Sequence, residues 1–132
     1  MRIKTPVILA LVGAFALTGC APAQTEAIDD KSIVVYAGRS EELVQPLIDQ
    51  FMQDTGIAVE VRYAGSAELA AQLLEEGENS PADVFFAQDA GALGAVAKAG
   101  LLTVLPDSIY SLVPSSYSAA DKSWVGVSGR VR

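Results

Sequence analysis

Hydrophobic positions along the chain change period several times, and each change marks an element. Residues 32–38, SIVVYAG, form a β-branched apolar run that ends in glycine, which predicts a buried first strand. Ser40 then stands as a helix N-cap, with Glu41 and Glu42 in the first turn, where carboxylates suit the helix dipole. Leu43, Leu47 and Phe51, with neighbouring Val44, Ile48 and Met52, recur at helical spacing, so a helix is expected to run to about Thr55. Pro46 costs that helix a hydrogen bond unless the helix starts late, and Gly56 stops it.

From Ile57 the period drops to two. Ile57, Val59, Val61 and Tyr63 share one face of a half-buried second strand over 57–65. Ser66 is the expected cap of a second helix, SAELAAQLLEEG, which lacks a capping-box Glu at the third position and ends at Gly77. GENSP reads as a loop and ADVFF as a third strand, apolar on both faces. QDAGALGAVAKAG gives a third helix of small residues suited to close packing on a sheet. LLTVLP reads as a short extended segment, and WVGVSGRVR as the start of a further strand.

The order β-α-β-α-β-α-β with short loops predicts an α/β fold with a doubly wound, mostly parallel sheet and right-handed crossovers. Ligands of such sheets bind beyond the carboxyl ends of the strands. Here those ends are Gly38-Arg39-Ser40, Ala64-Gly65-Ser66 and Ala87-Gln88-Asp89, each leading into a helix N-terminus.

The first 32 residues follow another pattern. Arg2 and Lys4 precede the apolar stretch PVILALVGAFAL, which is as long as a signal h-region and short for a membrane span. Leu17-Thr18-Gly19-Cys20 follows and is similar to a bacterial lipobox. The expectation is a lipoprotein signal peptide over 1–19, a lipid on Cys20, and a flexible tether over 20–32. The product would be exported and anchored at the cell envelope, in the periplasm or on the outer face of the cytoplasmic membrane. An ordinary cleaved signal or an uncleaved anchor is the alternative.

Composition narrows the chemistry. The 132 residues carry a formal charge of −7 and no clustered Lys or Arg, which argues against nucleic acid as a partner. There is no His, which removes imidazole as ligand, base or pH switch. The single Cys excludes an intrachain disulfide and a cysteine metal cluster. No G-x-S-x-G turn, Walker A or G-x-G-x-x-G occurs, and base and nucleophile are both lacking, so an α/β hydrolase is disfavoured.

The turn residues admit two readings each. Arg39 and Ser40 suit either a backbone cradle with a guanidinium for an anion, or a routine cap beside a solvated Arg. Ser66 serves as a cap, with ligand contact an additional role. Gln88 and Asp89 could cap the third helix, and Asp89 suffices for that alone. No carboxylate stands at the spacing of a calcium loop. LLEEGE reads as a solvated helix end, Tyr36 and Tyr63 as core or flank, and Trp124 as a packing anchor.

The stretches IVVYAGRSEELVQPLIDQF, SPADVFFAQDAGAL and WVGVSGR resemble the iron(III)-type solute-binding proteins of ABC importers, nearly continuously over 33–132. The resemblance implies one lobe of the two-lobed periplasmic-binding-protein fold. It further implies capture of ferric iron, often with a synergistic anion, for an ABC permease and its ATPase. In that family a His of the first strand–helix turn and a carboxylate after the ADVF strand typically ligate iron. Those positions fall on Ser40 and Gln88, and the following polar position on Asp89. Neutral Ser and Gln are poor partners for a hard trivalent cation. The variant that fits uses arginines: Arg39 and Arg130 fixing a carbonate that in turn ligates iron, with tyrosines supplied by the second lobe. The sequence stops at Arg132, before that lobe, so 33–132 reads as an incomplete first lobe with an exposed sheet edge. A binding protein for a small organic anion without metal, and a truncated non-functional fragment, remain as alternatives.

Overall fold

The computed structural model describes residues 32–129. The expected signal peptide, Cys20, nearly all of the tether, and Arg130 lie outside those residues.

The first strand, β1, is Ser32–Ala37, and the first helix, α1, is Glu41–Thr55. Strand β2, Ala58–Tyr63, and helix α2, Ser66–Glu76, follow. A single 3-10 turn at Gly77–Asn79 leads to β3, Val84–Phe86, and then to α3, Ala90–Lys98. All three strands are parallel, in the order β2-β1-β3. The chain therefore steps outward from β1 to β2, then crosses back over β1 to reach β3.

The two steps use opposite faces. Val35, Ala37 and Val44 are buried together, with Ile48, Val59, Val61 and Phe86 packed around them, so α1 covers one face. Tyr36, Leu69, Ala70, Leu73, Ala92 and Val96 form the other cluster, under α2 and α3. Alternation along β1 sends successive side chains to these two cores. Reversing direction while changing face keeps both crossovers of one hand, as parallel units require. The structure is doubly wound, as the sequence predicts.

Helix α1 begins one residue after Ser40 and ends where Gly56 takes a left-handed conformation, φ 70°, with its N–H bonded to the Met52 carbonyl at 2.9 Å. Glycine adopts that φ without a Cβ penalty. Pro46 lies in the sixth helical position, so the Glu42 carbonyl loses its usual N–H partner. The six apolar residues of α1 divide. Val44 is buried and Ile48 and Met52 half-buried, whereas Leu43 and Leu47 are 58% and 68% exposed. They form a second stripe that the sheet does not cover.

Asp83 sets the start of β3. Its N–H donates to the Val34 carbonyl at 2.9 Å, and its carboxylate accepts the Val34 N–H at 2.8 Å. One residue thus closes the ladder where the strand begins.

Beyond residue 100 the expected further strand is not formed among the described residues. Val125 makes a single antiparallel bridge to Ser118, and 126–129 carry no regular structure. The segment contains instead a short helix, α4, Asp107–Tyr110, and a 3-10 turn at Ser115–Tyr117. A strand needs a neighbour along its length, and 124–129 has one only at Val125.

Candidate functional site

The carboxyl ends of the three strands meet at one rim, and hydrogen bonds tie them into a knot. The Gly38 N–H donates to the Phe86 carbonyl at 2.7 Å, extending the β1–β3 ladder by one step. The Gly38 carbonyl accepts twice: from the Ser66 hydroxyl at 3.2 Å and from the Gln88 side-chain amide, Nε2, at 2.6 Å. The Ser66 hydroxyl in turn accepts the backbone N–H of Gln88 at 2.9 Å. Three turns far apart in sequence are thereby joined through one hydroxyl and one carbonyl.

Glycine at position 38 is what permits this approach. A Cβ there would lie 2.3 Å from the Ser66 Oγ and 2.9 Å from its Cα, closer than atoms pack. Ser66 is 7% exposed, and its hydroxyl is used on both the donor and acceptor sides. The expectation that Ser66 caps α2 is corrected: Gly65 occupies the N-cap position and Ser66 is the first helical residue. Its hydroxyl crosslinks strand ends because the β1 turn passes directly beside it.

Asp89 does cap α3, its Oδ1 accepting the Ala92 N–H at 2.9 Å. Ser40 occupies the N-cap position of α1, but its side chain makes no capping bond.

Beside the rim runs an open groove of about 720 Å³. Arg39, Gln88 and Asp89 line its polar end, the edge of β3 forms a wall, and Trp124 and its neighbours face that wall. Ser40 and Ser66 are not among its lining residues. Arg39 is half-buried, and no carboxylate among the described residues pairs with it. No group of three or more His, Cys, Asp or Glu positioned to hold a metal occurs among the described residues.

A family model of bacterial extracellular solute-binding proteins matches residues 33–115. The chain belongs to this family. It is 40% identical over 131 residues to the major ferric iron-binding protein of Neisseria gonorrhoeae, an alignment spanning 98% of this chain and 38% of that one. It is 38% identical over 101 residues to the Fe(3+)-binding periplasmic protein of Serratia marcescens, covering 76% of this chain and 30% of that one. Among solved structures, iron-bound HitA from Pseudomonas aeruginosa superposes with a TM-score of 0.70 at 33% identity, over 72% of this chain and 31% of that one. The chain thus spans about a third of the length of the relatives it matches.

The rim and the three triplets on it were legible in the sequence. Their common acceptor, the Gly38 carbonyl, was not. The signal was the glycine itself, placed where β1 ends and a second turn must pass close by.

A second polar cluster escaped the sequence reading. The Tyr36 hydroxyl, on a side chain 1% exposed, donates to the Glu76 carboxylate at 3.0 Å and accepts from the Gln72 amide at 3.2 Å. The Ser80 hydroxyl donates to Glu76 at 2.6 Å, and the Arg62 guanidinium lies 5.2 Å from the Tyr36 ring centre. Burial, then the Glu76 hydrogen bond and charge, push the Tyr36 phenol above its ordinary value. Hydrogen bonds from Ser80 and Gln72 hold the Glu76 carboxyl below its own. Glu76 is therefore a structural anchor at a partly solvated helix end, whereas Tyr36 is core as expected.

Proposed function

We propose that this chain contributes one lobe of the substrate-binding component of an ABC importer, capturing ferric iron together with a synergistic anion. The observation that carries the reading is Arg39, half-buried on the groove and free of a carboxylate partner among the described residues, beside Gln88 and Asp89. A guanidinium in such a place binds a planar oxyanion through two parallel hydrogen bonds. Relatives named for ferric iron binding support the metal. A solved structure from Trichodesmium, 33% identical with a TM-score of 0.66, holds iron and citrate and supports a metal–anion pair.

In this proposal Arg39, with Arg130, holds a carbonate or a carboxylate, and the anion's remaining oxygens face the metal. Gln88 and Asp89 supply further oxygen on the same wall. The protein is not an enzyme in this reading: it binds, and it releases to a permease served by an ATPase. Arg2, Lys4 and the apolar stretch after them would direct export, and a lipid on Cys20 would hold the domain at the envelope.

A second reading, a small anion without metal, draws on one observation. Over 78 residues the chain is 40% identical to the molybdate-binding protein of Mycobacterium tuberculosis, 58% of this chain and 29% of that one. Thermal-shift measurements on chelator-treated chain separate the two. Stabilisation that requires ferric iron and bicarbonate together is expected. Stabilisation by an oxyanion alone, unchanged by iron, would favour the second reading and overturn the first.

A further inference from the structure

The hydrogen bonds at the rim bear on Arg39 as well as on the strand ends. Position 38 is restricted to glycine, because Ser66 stands where a Cβ would go. Glycine is also the residue whose neighbouring peptides turn over most readily. Both peptides flanking Gly38 are held. Its N–H donates to the Phe86 carbonyl at 2.7 Å, and its carbonyl accepts from Gln88 Nε2 at 2.6 Å and from the Ser66 hydroxyl at 3.2 Å. That carbonyl and the Arg39 N–H belong to one planar trans peptide and point opposite ways. Pinning the oxygen therefore fixes the direction of the Arg39 N–H and the backbone from which the Arg39 side chain leaves. On the α1 side the turn has no comparable tie: Arg39 forms no salt bridge among the described residues, and Ser40 makes no capping bond.

We infer that Gln88 is a positioning residue for Arg39: its amide, seconded by the Ser66 hydroxyl, holds the Gly38–Arg39 peptide in one orientation and so pre-arranges Arg39 for an anion. The inference rests on reading Arg39 as the anion-holding residue of a ferric–anion site. Whatever Gln88 itself offers a ligand, this role is exercised through the main chain of the β1 turn. Both residues line the groove, so the tie lies within the site it serves. A peptide free to turn over has to be ordered at each binding event, at a cost in affinity; a peptide held beforehand avoids that cost. Gln88 supplies the shorter of the two bonds to the carbonyl, so its loss is expected to loosen the peptide more than any weakening at Ser66.

The test uses the full chain, with ferric nitrilotriacetate as the metal source, titrated with and without bicarbonate. Gln88→Leu is expected to weaken ferric binding about fivefold more in bicarbonate than without it, because only the anion-dependent part passes through Arg39. In an Arg39→Ala background the two losses should agree within about twofold. Equal losses with and without bicarbonate in the wild-type background would make Gln88 a direct ligand or a merely structural residue, and would overturn the inference. A difference that survives Arg39→Ala would overturn it too. A second measurement needs no ligand: nitrogen relaxation of the Arg39 main-chain N–H. An order parameter of about 0.85, as in rigid backbone, is expected in wild type, with a clear fall in Gln88→Leu. No fall would overturn the inference even if neither chain took up iron. A fall in Gln88→Leu, with no effect of bicarbonate on wild type, would instead overturn the ferric–anion reading beneath the inference, so the two failures are distinguishable.

Discussion

Between residues 32 and 100, strand and helix alternate three times, and the apolar side chains of each element meet across the sheet. Between 101 and 129 the chain is held differently. Leu101 and Leu102 pack against the α2–α3 core. After them, hydrogen bonds provide much of the cohesion: Leu105 N–H to the Lys122 carbonyl at 2.9 Å, the Tyr110 hydroxyl to the Ala119 carbonyl at 2.9 Å, and Gly126 N–H to the Tyr117 carbonyl at 2.7 Å. Lys122 pairs with Asp107 at the surface and lies over the Tyr110 ring. None of the apolar residues of this part is fully buried: Leu105, Tyr110, Trp124 and Val125 are half-buried, and Leu112 and Val127 are 76% and 69% exposed. Hydrogen bonds exchanged with water stabilise little, whereas buried apolar area stabilises much. The contrast implies that one groove wall, the edge of β3, is rigid, while the wall around Trp124 opens at low cost.

Substitutions can break or sharpen that contrast. The largest effect is expected in the core, where Leu69 is fully buried: Leu69→Ala should lower unfolding free energy by about 3 kcal/mol in a denaturant melt. Next comes Gly38→Ala, which drives a methyl into Ser66 and should cost about 2 kcal/mol while disturbing the Gln88 resonances. A Gly38→Ala chain as stable as wild type would show that the strand ends are not tightly knotted.

A smaller effect belongs to Glu76. Its folded-state pKa is held down by hydrogen bonds from Ser80, Gln72 and Tyr36. A depressed carboxylate stabilises fully above its unfolded pKa and loses that contribution as pH falls through the folded value. Unfolding midpoints of wild type should therefore fall on acidification more steeply than those of Glu76→Gln; parallel curves would remove Glu76 from the account. The smallest effect is expected at Leu112, where replacement by Ser should shift stability by less than about 0.5 kcal/mol. A larger loss there would mean that 101–129 is packed into the same cooperative unit as the sheet.

The first region was legible in the sequence because its periods are clean. A β-branched run, a helical repeat and a two-residue alternation lead in turn to β1, α1 and β2, and glycines mark the helix ends. The three strand-end triplets followed from that order. What the pattern could not tell was how a residue's options are resolved in space. Ser66 at a helix start can cap or crosslink, and the approach of Gly38 decides. Six apolar residues on α1 define a stripe wider than the sheet covers, so nothing local says that Leu43 and Leu47 face outward. The anchoring role of Glu76 was hidden because its partner Tyr36 lies 40 residues away. Past residue 100 no period governs the chain, and WVGVSGRVR suggests the start of a strand without showing what it would pair with. Strand formation depends on a partner along its whole length, which composition does not supply.

The central claim is that Arg39 holds an anion through which the metal is bound, and one titration tests it most directly. Ferric iron, supplied as a weak chelate, is titrated into wild-type chain and Arg39→Ala, each with and without bicarbonate. Bicarbonate is predicted to tighten wild-type binding by about tenfold or more and to change Arg39→Ala little, since a charge-assisted bidentate contact is then missing. Iron binding that is independent of bicarbonate and unchanged by Arg39→Ala would contradict the account.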